Sequence, residues 1–189
     1  MIKEKRVRIM FYMISGGSGS GKSEFAESVI LQLSHKEEKR IYIATMMAFD
    51  EEAKGKIERH RLMRKEKHFT TMECFTDLKK VALPKGCTVL LDCMSNLTAN
   101  EMFQEDGAKE NTVKEVIEGI DSILEQCANL VVVTNEIFSD GCDYDESTKD
   151  YIRKLGAINR QMAKRADIVV EVVCGIPIYH KNKYAKKGR

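Results

Sequence analysis

The chain has six cysteines, at 74, 87, 93, 127, 142 and 174, but no Cys-x-x-Cys pair. Disulfide frameworks and structural zinc sites need clustered or recurrently spaced ligands. The expectation is therefore separate thiols, packed as small apolar residues in a reducing compartment. Nor is there an apolar run of the ~20 residues that a membrane span requires, the longest C-terminal one being interrupted by Glu171. The opening residues, Met1-Ile2-Lys3-Glu4-Lys5-Arg6, carry charge but no following apolar stretch with a cleavage site. That reads as no signal peptide and a cytoplasmic protein. A one-signed charge excess is missing too: the formal net charge of +2 supplies no global field for nucleic acid. Tryptophan is absent, while ten methionines point to an adaptable core. No repeat or linker divides the sequence, so residues 1–189 are expected to form one domain. Its basic end, 181–189, is expected to be a frayed tail.

What is present is more specific. Gly16-Gly17-Ser18-Gly19-Ser20-Gly21-Lys22-Ser23 fits the G-x-x-x-x-G-K-[ST] phosphate-binding loop. Its glycines let successive backbone N–H groups converge on a phosphate chain where side chains would clash. Lys22 is spaced to reach the β- and γ-phosphates, and Ser23 to ligate Mg²⁺. The context suits the motif: Val7 to Ile14 reads as a buried strand, and Glu24 to Leu33 as a helix aiming its positive end at the anion.

Strand-like and helix-like segments then alternate, which predicts an α/β fold with a mainly parallel sheet. Strands are expected at Arg40–Thr45, Phe69–Cys74, Cys87–Asp92, Leu130–Thr134 and, last in the chain, Asp167–Val173. Helices are expected at Asp50–Lys67, around Thr76–Val81, at Thr112–Ala128 and at Ser147–Arg165. Asp92 ends the run Val89-Leu90-Leu91-Asp92, the form of a strand whose terminal carboxylate holds Mg²⁺ opposite the phosphate loop. His60 sits among Arg59, Arg61 and Arg64. Arginines suit phosphates, and nearby positive charge disfavours a protonated imidazole, leaving a competent nucleophile toward an α-phosphorus.

With these blocks in view, the chain resembles the bifunctional adenosylcobinamide kinase/adenosylcobinamide-phosphate guanylyltransferases of cobalamin biosynthesis. The resemblance runs from about Arg8 to Ile178 through Gly16–Ser23, Tyr42-Ile43-Ala44-Thr45, the Asp50–Glu73 block, Leu90-Leu91-Asp92-Cys93 with Asn96-Leu97 and Asn100, and Val132-Val133-Thr134-Asn135-Glu136. It continues in Leu155-Gly156, Asn159-Arg160-Gln161, Ala166-Asp167 and Val172-Val173-Cys174-Gly175-Ile176-Pro177. It implies a three-layer P-loop NTPase fold and two successive reactions with ATP and GTP as substrates. Phosphoryl from ATP or GTP passes to the aminopropanol hydroxyl of adenosylcobinamide. GMP then passes from GTP, through the matching histidine, His60, to adenosylcobinamide phosphate. Lys22 is implied in catalysis, Ser23 and Asp92 in holding Mg²⁺, and Arg61, Arg64 and Glu73 in nucleotide binding beside the loop Gly16–Ser23. The family is known as a trimer with sites at subunit interfaces, which implies a homo-oligomer here.

Three differences from the family pattern stand out: Gly19 where the loop usually has a basic residue, Lys65 and Phe69 in place of Pro and Trp after the histidine block, and one extra residue between His60 and Glu73. Two other readings stay open on the residues alone. One is a small-molecule kinase without guanylylation. The other is a GTP-binding regulatory module, which would want an Asn-Lys-x-Asp element; the nearest segment, Thr134-Asn135-Glu136, lacks the Lys and the Asp. That segment reads instead as a cluster at a strand end, near the phosphates or the substrate.

Overall fold

A computed structural model describes residues 9–35, 38–48, 67–139 and 141–185, with the isolated positions 55 and 58. Among these residues seven strands form one sheet: β1 Met10–Ser15, β2 Arg40–Ala44, β3 Phe69–Glu73, β4 Thr88–Asp92, β5 Asn129–Val133, β6 Ile168–Val173 and β7 Ile176–Asn182. Their order is β3-β2-β4-β5-β1-β6-β7. All neighbours run parallel except β6 and β7, which form an antiparallel hairpin. Helices α1 Lys22–Leu33, α2 Met94–Phe103, α3 Thr112–Gln126 and α4 Glu146–Arg165 cover the two faces.

The layering follows from the two-residue period of a strand. Phe11, Met13, Ile41, Ile43, Val89, Leu91, Leu130 and Val132 point to one side, against Leu97 of α2, Ile120 of α3 and Leu155 of α4. Ile14, Tyr42, Leu90, Val131, Val133 and Val170 point to the other, against Ala26, Val29 and Ile30 of α1. Central strands buried on both faces have no polar side, which is why they read as unbroken apolar runs. This is the α/β architecture with a mainly parallel sheet that the alternation predicts, in the three layers that the family resemblance implies.

Local differences from expectation have plain causes. The helix expected around Thr76–Val81 is a single 3₁₀ turn, Leu78–Lys80, because Asp77 before it is left-handed and Val81 after it is extended. Helix α2 was not foreseen: Ser95, Thr98, Asn100 and Glu101 are buried polar residues that disguise its inward face. Asp167–Val173 is not the last strand, since β7 follows it. Residues 181–183, expected in the frayed tail, are instead tied to the sheet and its neighbours. Lys181 and Asn182 close β7, the Lys181 ammonium donates to the Ala163 carbonyl at 2.8 Å, and Lys183 pairs with Asp167 at 2.8 Å. All six cysteines are thiols; Cys74, Cys87, Cys93 and Cys127 are buried as expected, while Cys142 and Cys174 are exposed. Among the described residues, no helix is long and apolar enough to cross a membrane.

Candidate nucleotide site

Parallel strands place their carboxyl ends along one sheet edge, where the following loops form a crevice. The loop Gly16–Ser23 leaves β1 at this edge and turns directly into α1, whose N-cap is Gly21. Gly21 has no side chain with which to cap the helix, so its first N–H groups stay directed at the loop. Gly16 permits a close approach: a Cβ there would fall 2.5 Å from Ser20 Oγ and 2.6 Å from the Val172 carbonyl oxygen. The Ser20 N–H donates to the Gly17 carbonyl at 3.2 Å, and the Glu136 N–H to the Gly16 carbonyl at 3.0 Å. The chain leaving β5 thus braces the loop, which puts Thr134-Asn135-Glu136 beside it.

Lys22 is 9% exposed, and its ammonium donates across the loop to the Gly17 carbonyl at 2.9 Å. Burial lowers its pKa, opposed by the negative charges that Cys93 and Asp92 can carry. Lys22, at the start of α1, is thus within electrostatic reach of Asp92 at the end of β4, although β5 lies between β1 and β4. Asp92 is steered by Tyr42, whose hydroxyl donates to Asp92 Oδ2 at 3.2 Å. Ser23, half-buried, follows Lys22 in the first turn of α1. Glu73 ends β3 in register with Ala44, as Asp92 does on the other side of β2. Two strand spacings put those backbones roughly 10 Å apart, so Glu73 lies along the same edge but not in the Lys22–Asp92 cluster. His60, Arg61 and Arg64 lie outside the described residues, as does most of the helix expected over Asp50–Lys67.

A polar network behind Asp92 was not legible beforehand. Thr45 Oγ1 donates to the Cys93 carbonyl and accepts from the Cys93 N–H, both at 2.8 Å. The Asn100 side chain donates to the Thr45 carbonyl at 2.8 Å. Cys93 Sγ lies 3.0 Å from Ser95 Oγ, which accepts from the Asn135 amide at 2.7 Å. The Tyr151 hydroxyl donates to the Ser95 carbonyl at 3.2 Å, and burial pushes that phenol up to about 12. Burial likewise raises the Cys93 thiol, with the Asp92 charge adding to it. The network ties the ends of β2, β4 and β5 to α2 and α4, so the backbone carrying Asp92 is held from several sides.

A glycine-rich loop between a central parallel strand and a helix, with a carboxylate at another strand end within electrostatic reach of its lysine, defines a P-loop protein of the NTPase fold. The chain belongs to the cobinamide kinase / cobinamide phosphate guanyltransferase family, whose model matches residues 12–179. It is 30% identical to the bifunctional adenosylcobalamin biosynthesis protein CobU of Escherichia coli, over 89% of this chain and 98% of that protein. It is 25% identical to the bifunctional adenosylcobalamin biosynthesis protein CobP of Pseudomonas aeruginosa, over 88% and 94%. Among solved structures it is similar to a KaiC-like protein of Pyrococcus horikoshii OT3, with 12% identity, a TM-score of 0.49, and coverage of 86% of this chain and 70% of that one.

Proposed function

We propose that the protein transfers phosphoryl from ATP or GTP to adenosylcobinamide, and then GMP from GTP, through guanylylated His60, to adenosylcobinamide phosphate. The observation that carries this reading is the loop Gly16–Ser23 set between β1 and α1, with Asp92 at the carboxyl end of β4, in a chain matched to the family over residues 12–179.

The residues divide the work as follows. Backbone N–H groups of Gly17 to Ser23 and the start of α1 cradle the triphosphate, and the Lys22 ammonium turns from the Gly17 carbonyl to a phosphate oxygen. Ser20 Oγ, buried and without a hydrogen-bond partner among the described residues, supplies a further donor. The hydroxyl of Ser23 and the carboxylate of Asp92 are hard oxygen donors, the set Mg²⁺ prefers, and they would hold it between them. Bound there, Mg²⁺ neutralises charge on the phosphates. Phosphoryl transfer requires alignment and charge neutralisation more than covalent help, which this loop and carboxylate supply. Guanylyl transfer divides one displacement into two: His60 attacks the α-phosphorus, pyrophosphate leaves, and the acceptor phosphate displaces His60. Arg61, Arg64 and Glu73 complete the nucleotide contacts. The same family resemblance supports a homotrimer, which sedimentation equilibrium tests against three times the chain mass.

The kinase half is checked by incubating adenosylcobinamide with Mg²⁺ and ATP or GTP. Wild type forms adenosylcobinamide phosphate, and Lys22→Ala lowers kcat roughly 10²–10³-fold by removing a charge aimed at the transferring phosphate. No product from wild type with either nucleotide contradicts the proposal.

A further inference from the structure

The phosphate loop leans on the tip of the β6–β7 hairpin. Val173 and Ile176 pair across that hairpin, leaving only Cys174 and Gly175 in the turn. Their φ angles are +50° and +80°, the signature of a type I′ turn. The Gly175 N–H donates to the Ser20 carbonyl at 2.9 Å. Gly175 also packs against Gly21, where a Cβ would stand 3.4 Å from the Gly175 Cα.

The direction of that hydrogen bond bears on the loop's chemistry. The Ser20–Gly21 peptide is trans, and the C=O and N–H of a planar trans peptide point in opposite directions. Drawing the Ser20 carbonyl outward to the hairpin therefore turns the Gly21 N–H toward the inside of the loop. An inward N–H is the donor type with which such loops grip phosphate.

We propose that the β6–β7 turn is a positioning element for nucleotide binding, with Gly175 as its positioning residue, acting through the Ser20–Gly21 peptide without touching substrate. The inference rests on the nucleotide-transfer reading above. Among the described residues a Cβ at Gly175 would meet no atom within 4 Å, so conformation rather than space restricts this position. A β-branched side chain there disfavours the left-handed backbone and rotates the N–H away from Ser20, whereas Asn tolerates that conformation.

The test titrates wild type, Gly175→Val, Gly175→Ala, Gly175→Asn and Ile178→Ala with Mg²⁺ and GTP by calorimetry, with thermal midpoints recorded alongside. Gly175→Val is expected to bind GTP about tenfold more weakly, or worse, since the left-handed conformation costs a non-glycine residue on the order of one tenfold step. Gly175→Ala shows a smaller loss and carries the comparison if the valine variant does not fold. Gly175→Asn recovers most of the affinity. Ile178→Ala, an exposed change in β7 away from the turn, binds as wild type. Wild-type affinity in both Gly175→Val and Gly175→Ala overturns the inference and leaves the nucleotide reading standing. Equal losses in Gly175→Ala and Gly175→Asn, in step with their thermal midpoints, also overturn it, by showing general damage to the hairpin. A wild type that binds no GTP overturns the nucleotide reading itself, and this inference with it.

Discussion

Tyr42 shows how a residue can serve core and site at once. It is 6% exposed, packs edge-on to Phe69 with ring centroids 6.3 Å apart, and spends its hydroxyl on Asp92. Tyr42→Phe keeps the packing and removes the group orienting the carboxylate. Because outer partners of a metal ligand contribute about tenfold or more in affinity, the half-saturating Mg²⁺ concentration should rise about tenfold while kcat at saturating Mg²⁺ stays near wild type. An unchanged Mg²⁺ dependence contradicts the assignment of Asp92. The buried thiols give a second prediction at this scale. Burial raises Cys74 to about 11 and Cys127 to about 12. An unfolded thiol titrates near 8.5, so the folded protein keeps protons that the unfolded chain gives up. The stability these thiols contribute is whole below about pH 8.5 and is lost as pH rises toward 11 and 12. At pH 10 each costs on the order of 1–2 kcal/mol. Thermal midpoints should fall between about pH 8.5 and pH 10, and fall less steeply in the Cys74→Ala/Cys127→Ala double variant. Equal slopes contradict the assignment.

At the scale of elements, the hairpin offers the sharpest case. Cys174 holds φ +50° in a two-residue turn that favours Asn-Gly, so Cys174→Asn should stabilise the protein by about 0.5–1 kcal/mol, read as a higher urea midpoint. A lower midpoint contradicts the turn assignment. The same hairpin marks where sequence reading stops. Strands β1, β2, β4, β5 and β6 are apolar because the sheet buries them, and α3 shows its inward face as Val116, Ile117, Ile120 and Ile123. Strand β7 offers no such signal. It is an edge strand, mostly exposed, basic at its end and interrupted by Pro177, which an edge tolerates because no neighbour needs its missing N–H. Helix α2 hides for the opposite reason: its inward Thr98, Asn100 and Glu101 are polar, Thr98 donating to Met94 within the helix and Asn100 and Glu101 meeting partners distant in sequence.

For the molecule as a whole, sheet order turns scattered motifs into one crevice. Lys22 and Asp92 are 70 residues apart in the chain, yet the order β4-β5-β1 brings their strand ends near one another. Both were legible because their chemistry is encoded locally, one in a glycine loop and the other at the end of an apolar run. Ser95, Asn135 and Tyr151 were not, since each acquires its place only through contacts between distant elements. His60 and its arginines are legible in the sequence alone, and they carry the half of the proposed function that separates this family's chemistry from a simple kinase. The most direct measurement is therefore covalent labelling with Mg²⁺ and GTP carrying label at the α-phosphate. The account predicts label that survives denaturation, resists alkali, is released by acid and disappears in His60→Ala. Label that fails to form on wild type, or that persists in His60→Ala, contradicts it.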